Sequence, residues 1–76
     1  MSKVIVHVRL LDEGTEVARP TEAIALGGQQ FKLLATEDYD PEVETWEYSP
    51  GSIVRCEERR MSGTLVRLAV QGIVGV

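Results

Sequence analysis

The sequence predicts a small all-β domain, and three observations carry that prediction. Turn signals recur at short intervals: Asp12-Glu13-Gly14, Gly27-Gly28, Pro50-Gly51 and Ser62-Gly63. The apolar runs between them mostly alternate with period two, as strands with one buried face do. The apolar content is Val, Leu, Ile and Ala, with only four aromatics (Phe31, Tyr39, Trp46 and Tyr48). Valine and isoleucine suit a pleated, half-buried surface. Five or six short antiparallel strands in one domain must close on themselves or leave adhesive edges. A partly open SH3-like barrel is the most economical form, and an OB-like barrel is the alternative.

The elements follow in order. Lys3 to Leu11 reads as a first strand with Val4, Val6, Val8 and Leu10 facing the core. Asp12-Glu13-Gly14 suits a three-residue hairpin loop with Gly14 at positive φ. Glu16 to Leu26 reads as a second strand of low regularity. Pro20 has no N–H to give a ladder, so the strand lies at an edge or bends there. Gly27-Gly28 favours a tight turn into a third strand, Gln29 to Ala35, that buries Phe31 and Leu33. Thr36 to Thr45 is irregular and acidic; an open loop is expected, with a short helix opening near Asp40 and Pro41 as the alternative. Trp46 to Tyr48 is a short strand, and Ser49-Pro50-Gly51-Ser52 is a type II turn. Ile53 to Arg60 follows with Val54 and Cys56 inward, then Thr64 to Val70 with Val66, Leu68 and Val70 on one face. The residues 71–76 are expected to fray or to extend a strand.

All 76 residues are expected to form one domain, since a chain this short has room for one core. A hydrophobic content of 43% is too high for a disordered chain. The single cysteine, Cys56, excludes an intramolecular disulfide framework and suits a reducing cytoplasm. No signal-peptide pattern and no apolar run of membrane-spanning length is present, so no membrane association is expected. The net charge is −4, unevenly placed: residues 37–52 hold Glu37, Asp38, Asp40, Glu42, Glu44 and Glu47 with no base. Nucleic-acid binding needs a basic surface to neutralise phosphates, so this balance argues against it. The acidic block suits a cationic partner instead.

Three segments carry a resemblance: Val8-Arg9-Leu10-Leu11-Asp12-Glu13-Gly14-Thr15, Arg19-Pro20, and Trp46-Glu47-Tyr48-Ser49-Pro50-Gly51-Ser52-Ile53-Val54-Arg55-Cys56-Glu57. In that order they resemble a group of small bacterial proteins of uncharacterised function. The resemblance implies a bacterial source and one compact β domain. It brings no catalytic residue and no ligand.

Chemistry-bearing constellations are few. Asp38-x-Asp40-x-Glu42-x-Glu44 suggests a calcium loop, but the sixth and twelfth positions hold Val43 and Ser49, where an EF-hand requires Gly and Glu. His7 and Cys56 are single, too few for a zinc site without carboxylates. No Gly-x-Ser-x-Gly elbow or phosphate loop is present. No enzyme, cofactor or metal is expected. What stands out is Tyr39, Glu44, Trp46, Glu47 and Tyr48, an aromatic and acidic segment able to accept a basic or proline-containing stretch of a protein partner. The competing role for Trp46 is to anchor the core.

The expected function is therefore a non-catalytic protein-interaction or regulatory module. A structural homodimer or accessory subunit, joined through an unpaired strand or the tail Ile73-Val74-Gly75-Val76, is the alternative. Nucleic-acid association through Arg55, Arg59, Arg60 and Arg67 is a weaker one.

Overall fold

The computed structural model describes residues 2–73 and is all-β. Its strands are β1 (Lys3–Leu11), β2 (Ala18–Gly27), β3 (Gln30–Leu33), β4 (Thr45–Trp46), β5 (Ile53–Met61) and β6 (Thr64–Gly72). They form one sheet in the order β2-β3-β5-β6-β1-β4, and β2 also pairs with β1. Hydrogen bonds thus run in a ring through β1, β2, β3, β5 and β6. All pairings are antiparallel except β1 with β6, a parallel contact at His7 and Leu68.

Alternation in β1 places Val6 and Val8 fully inside, with Val4 and Leu10 half-buried against the same cluster. The loop after β1 is longer than the three residues expected. It spans 12–17, and Leu10 N–H donates to Val17 O at 2.8 Å. Asp12 takes the positive φ (65°), and Gly14 does not. Asparagine and aspartate tolerate that region because their short side chains bond locally.

Pro20 pairs with His7 of β1 in a ladder that bonds at Leu10 and Val17 and alternates from there. Pro20 therefore falls at a non-bonding position, where its missing N–H would point away from β1. The pairing of β2 with β3 begins only at Ala23, so β2 is a local edge at Pro20. A register shift at Leu26 leads to the turn, where Gly28 and Gln29 both have positive φ. β3 is four residues long and buries Phe31 and Leu33 as expected.

Residues 34–44 carry no helix. One turn follows Asp40, whose carbonyl accepts Val43 N–H and Glu44 N–H at 3.0 Å each while its Oδ1 accepts Glu42 N–H at 2.9 Å. A side chain that offers the backbone such a local bond competes with helix propagation. After β4, Ser52 N–H donates to Ser49 O at 3.1 Å and Gly51 has φ 92°. That third-position conformation is what a type II turn asks of glycine.

The core cluster contains Val6, Val8, Ala23, Phe31, Leu33, Trp46, Val54, Cys56 and Ala69. Ala69, opposite Cys56, is the β6 residue in it, and Val66, Leu68 and Val70, expected to share one face, are not. The cause is a register shift between Arg55 and Cys56, which takes β5 from Gln71 to Ala69 as its partner. A one-residue slip moves side chains to the other face. Leu68 is nonetheless fully buried, on the opposite face, between His7 of β1 and Glu57 of β5. Val66 is half-buried. β6 extends through Gly72, and Ile73 N–H donates to Ile53 O at 2.8 Å; the rest of the expected tail, 74–76, lies outside the described residues.

Candidate functional site

The aromatic and acidic segment lies where the chain returns from β3 to β4 and crosses the end of β1. β4 is only two residues long, pairing Trp46 with Leu10 and Thr45 with Leu11, and Glu47 N–H continues the contact by donating to Arg9 O at 2.8 Å. This strap brings Trp46 into the apolar cluster, where it is 5% exposed. Tyr39 closes on it edge-to-face, with centroids 4.9 Å apart and planes at 68°. Offset and T-shaped pairs place a positive ring edge against a negative ring face.

Trp46 brings one polar atom with it, and that atom is satisfied. Its Nε1–H donates to Glu44 Oε1 at 2.7 Å. The same carboxylate is gripped from β2 by Arg19, Nε to Oε1 at 3.3 Å and Nη2 to Oε2 at 2.8 Å. A planar guanidinium matches a carboxylate in this two-point fashion. The hydrogen bonds from Arg19 and then Trp46 hold the Glu44 carboxyl below its ordinary value of 4.5. Glu44 also raises Arg19, chiefly through the same hydrogen bond.

The five residues singled out in the sequence thus lie together, in different settings. Trp46 is buried, Tyr39 and Tyr48 are half-buried against the core cluster, and Glu44 and Glu47 are partly covered. Tyr48 lies against Gly72, where an added Cβ would come within 3.3 Å of its ring. Glu47 Oε1 is hidden from solvent without a hydrogen-bond partner, its nearest cation being Arg9 Nη1 at 3.9 Å. Outside this frame the loop presents Glu37, Asp38, Asp40 and Glu42 to solvent, with Val43 at 77% exposure beside them. No ion pair to these four carboxylates is present among the described residues.

Arg19 is the member that the sequence did not suggest. It is 25 positions from Glu44, so no local spacing connects them. Phe31 and Arg67 form a second unforeseen pair, the guanidinium 5.1 Å from the ring centroid. They line a shallow cavity of about 320 Å³ with Gln29, Cys56, Glu57 and Glu58. Cys56 is a free thiol, and burial pushes its pKa up to about 11. At neutral pH it is protonated and a poor nucleophile.

His7 lines a larger groove of about 520 Å³, with Val17 and Ala18 on one side and Met61 and Val66 on the other. Its Nδ1 is hidden and has no hydrogen-bond partner, and burial lowers its pKa below 6.5. Among the described residues no three His, Cys, Asp or Glu side chains converge to hold a metal ion.

Comparison of this chain with protein-family models, curated proteins and solved structures finds no match.

Proposed function

We propose that this chain is a non-catalytic interaction module that receives a basic segment of a partner protein on the loop between β3 and β4. In this reading Trp46, Glu44 and Arg19 form the frame. Glu37, Asp38, Asp40 and Glu42, with the half-buried Tyr39, form the receiving surface, and Glu47 and Tyr48 flank it. The observation that carries the reading is the division of charge within one segment. Glu44 is paired with Arg19 at the surface, while the four carboxylates before it stand exposed and form no ion pair among the described residues. Ionised groups held on a pinned loop attract a cationic segment and steer its approach. A proline-containing ligand is the lesser choice, since it needs open aromatic faces and Trp46 is 5% exposed. Thiolate catalysis by Cys56 is disfavoured, because burial pushes its pKa up to about 11. The ring of strands is read as a small SH3-like barrel, with an OB-like barrel as the alternative.

The test is a titration with a lysine- and arginine-rich peptide, compared with Glu37→Gln/Asp38→Asn/Asp40→Asn/Glu42→Gln. Saturable binding that weakens with salt and disappears in the fourfold variant supports the reading. Equal binding by both proteins refutes it. The second reading, a structural homodimer, is favoured by a separate feature, the free edge of β5.

A further inference from the structure

Along β5 the even-numbered residues turn their backbone groups away from β6. Ser52 O accepts Leu33 N–H, and Cys56 N–H donates to Gln29 O. Alternation carries the same orientation to Glu58 and Arg60, in agreement with the two-residue hairpin that pairs Met61 with Thr64. But the pairing of β3 with β5 covers only Ile53 to Arg55, and Gln29 is the last residue to reach that edge. The N–H and C=O groups of Glu58 and Arg60 therefore have no backbone partner among the described residues. Such an edge is a template for another strand.

Charge selects which strand. Both side chains are exposed, and neither has an ion-pair partner within the chain among the described residues; Arg60 reaches only Gly63 O, at 3.3 Å. A two-fold axis perpendicular to the sheet keeps side-chain faces and reverses strand direction. When the axis passes at Arg59, Glu58 stands opposite Arg60 of the other copy, and Arg60 opposite its Glu58. These are also the residues with free backbone groups, so the two pairs become the bonded positions of the new ladder. Opposite charges directly across an antiparallel pair stabilise it. On the other face Arg59 meets its own counterpart. That repulsion is offset because Glu57 Oε1 already accepts from Arg59 Nη2, at 2.6 Å, in each copy. Centring the axis at Glu58 would instead set two glutamates together with no such relief.

We propose that the chain self-associates as a symmetric dimer through antiparallel pairing of the Glu58–Arg60 edges of β5, the occupant being a second copy of this chain. The proposal does not use the acidic loop, so the two can fail independently. The contact is small, and association is expected at high micromolar concentration rather than nanomolar.

Sedimentation equilibrium of the full chain from about 10 µM to about 1 mM, at low salt and at about 0.5 M salt, tests it. Arg60→Glu is the cleaner single substitution, because Arg60 faces Leu65 within its own hairpin whereas Glu58 faces Arg67. It should weaken the dimer by about tenfold or more, and Glu58→Arg/Arg60→Glu should recover most of that loss. In the unmodified chain, dilution should move the amide resonances of residues 57–61, a readout that survives if the double variant does not fold. A monomer throughout the range, a dimer indifferent to Arg60→Glu, or a folded double variant without recovery would each overturn the proposal. So would dilution shifts confined to other strands.

Discussion

Replacing Trp46 separates a structural indole from an exposed recognition anchor. Trp46 is 5% exposed, makes an edge-to-face contact with Tyr39 and donates Nε1–H to Glu44. Truncating a buried tryptophan to alanine costs about 3–5 kcal/mol, the lost transfer energy plus the cavity left behind. A domain of this size is stable by roughly 4–11 kcal/mol, at about 0.05–0.15 kcal/mol per residue. Trp46→Ala should therefore remove about a quarter or more of the stability. Trp46→Phe keeps most of the apolar ring and loses the N–H, so it should cost about 1–3 kcal/mol. A double-mutant cycle of Tyr39→Leu with Trp46→Leu should leave a coupling of about 0.5–1.5 kcal/mol for the edge-to-face contact. The assay is urea unfolding followed by circular dichroism, with an unchanged slope required before midpoints are compared. A cost below about 0.5 kcal/mol for Trp46→Ala, the range of neutral surface changes, would refute the packing argument.

Three further outcomes follow from the same structure. Glu44 has a lowered pKa in the fold, so the stability it adds is complete above its ordinary value of 4.5 and is lost as pH falls through the lower folded value. The difference in unfolding midpoint between the unmodified chain and Glu44→Gln should be constant near neutrality and shrink in acid; a difference that grows in acid would contradict the assignment. Leu68→Ala should cost about 2–5 kcal/mol, because Leu68 is fully buried even though it lies off the main cluster. Cys56 should react with a thiol reagent slowly in the folded chain and rapidly in denaturant, and fast labelling of the folded chain would contradict its burial.

Much of the strand framework was legible because period-two alternation and turn chemistry are local signals. β1 runs from Lys3 to Leu11 as its alternation predicts, and the Gly51 turn forms where Pro50-Gly51 indicates. The misreadings have non-local causes. The single face expected for Val66, Leu68 and Val70 is broken because a register shift opposite Arg55 and Cys56 puts Ala69 inside, and neither strand announces a bulge in its own composition. Gly14 suggested a three-residue loop after β1, but Asp12 supplies the positive φ and the loop is longer. In the candidate site, the clustering of aromatics and acids was visible in the chain. The role of Glu44 was not, since it depends on Arg19 arriving from β2. The free edge of β5 was equally hidden: it exists because β3 begins only at Gln30, opposite Arg55, which only the assembled sheet reveals.

In the proposed division one segment holds both a structural frame and an exposed acidic surface. A heteronuclear NMR titration of the full chain with the basic peptide reads the two parts separately. Saturable, salt-sensitive shifts are expected in the amides of residues 37–43, with the Trp46 indole Nε1–H resonance nearly unmoved. Shifts led by the Trp46 indole, or saturable shifts that leave residues 37–43 untouched, would contradict it.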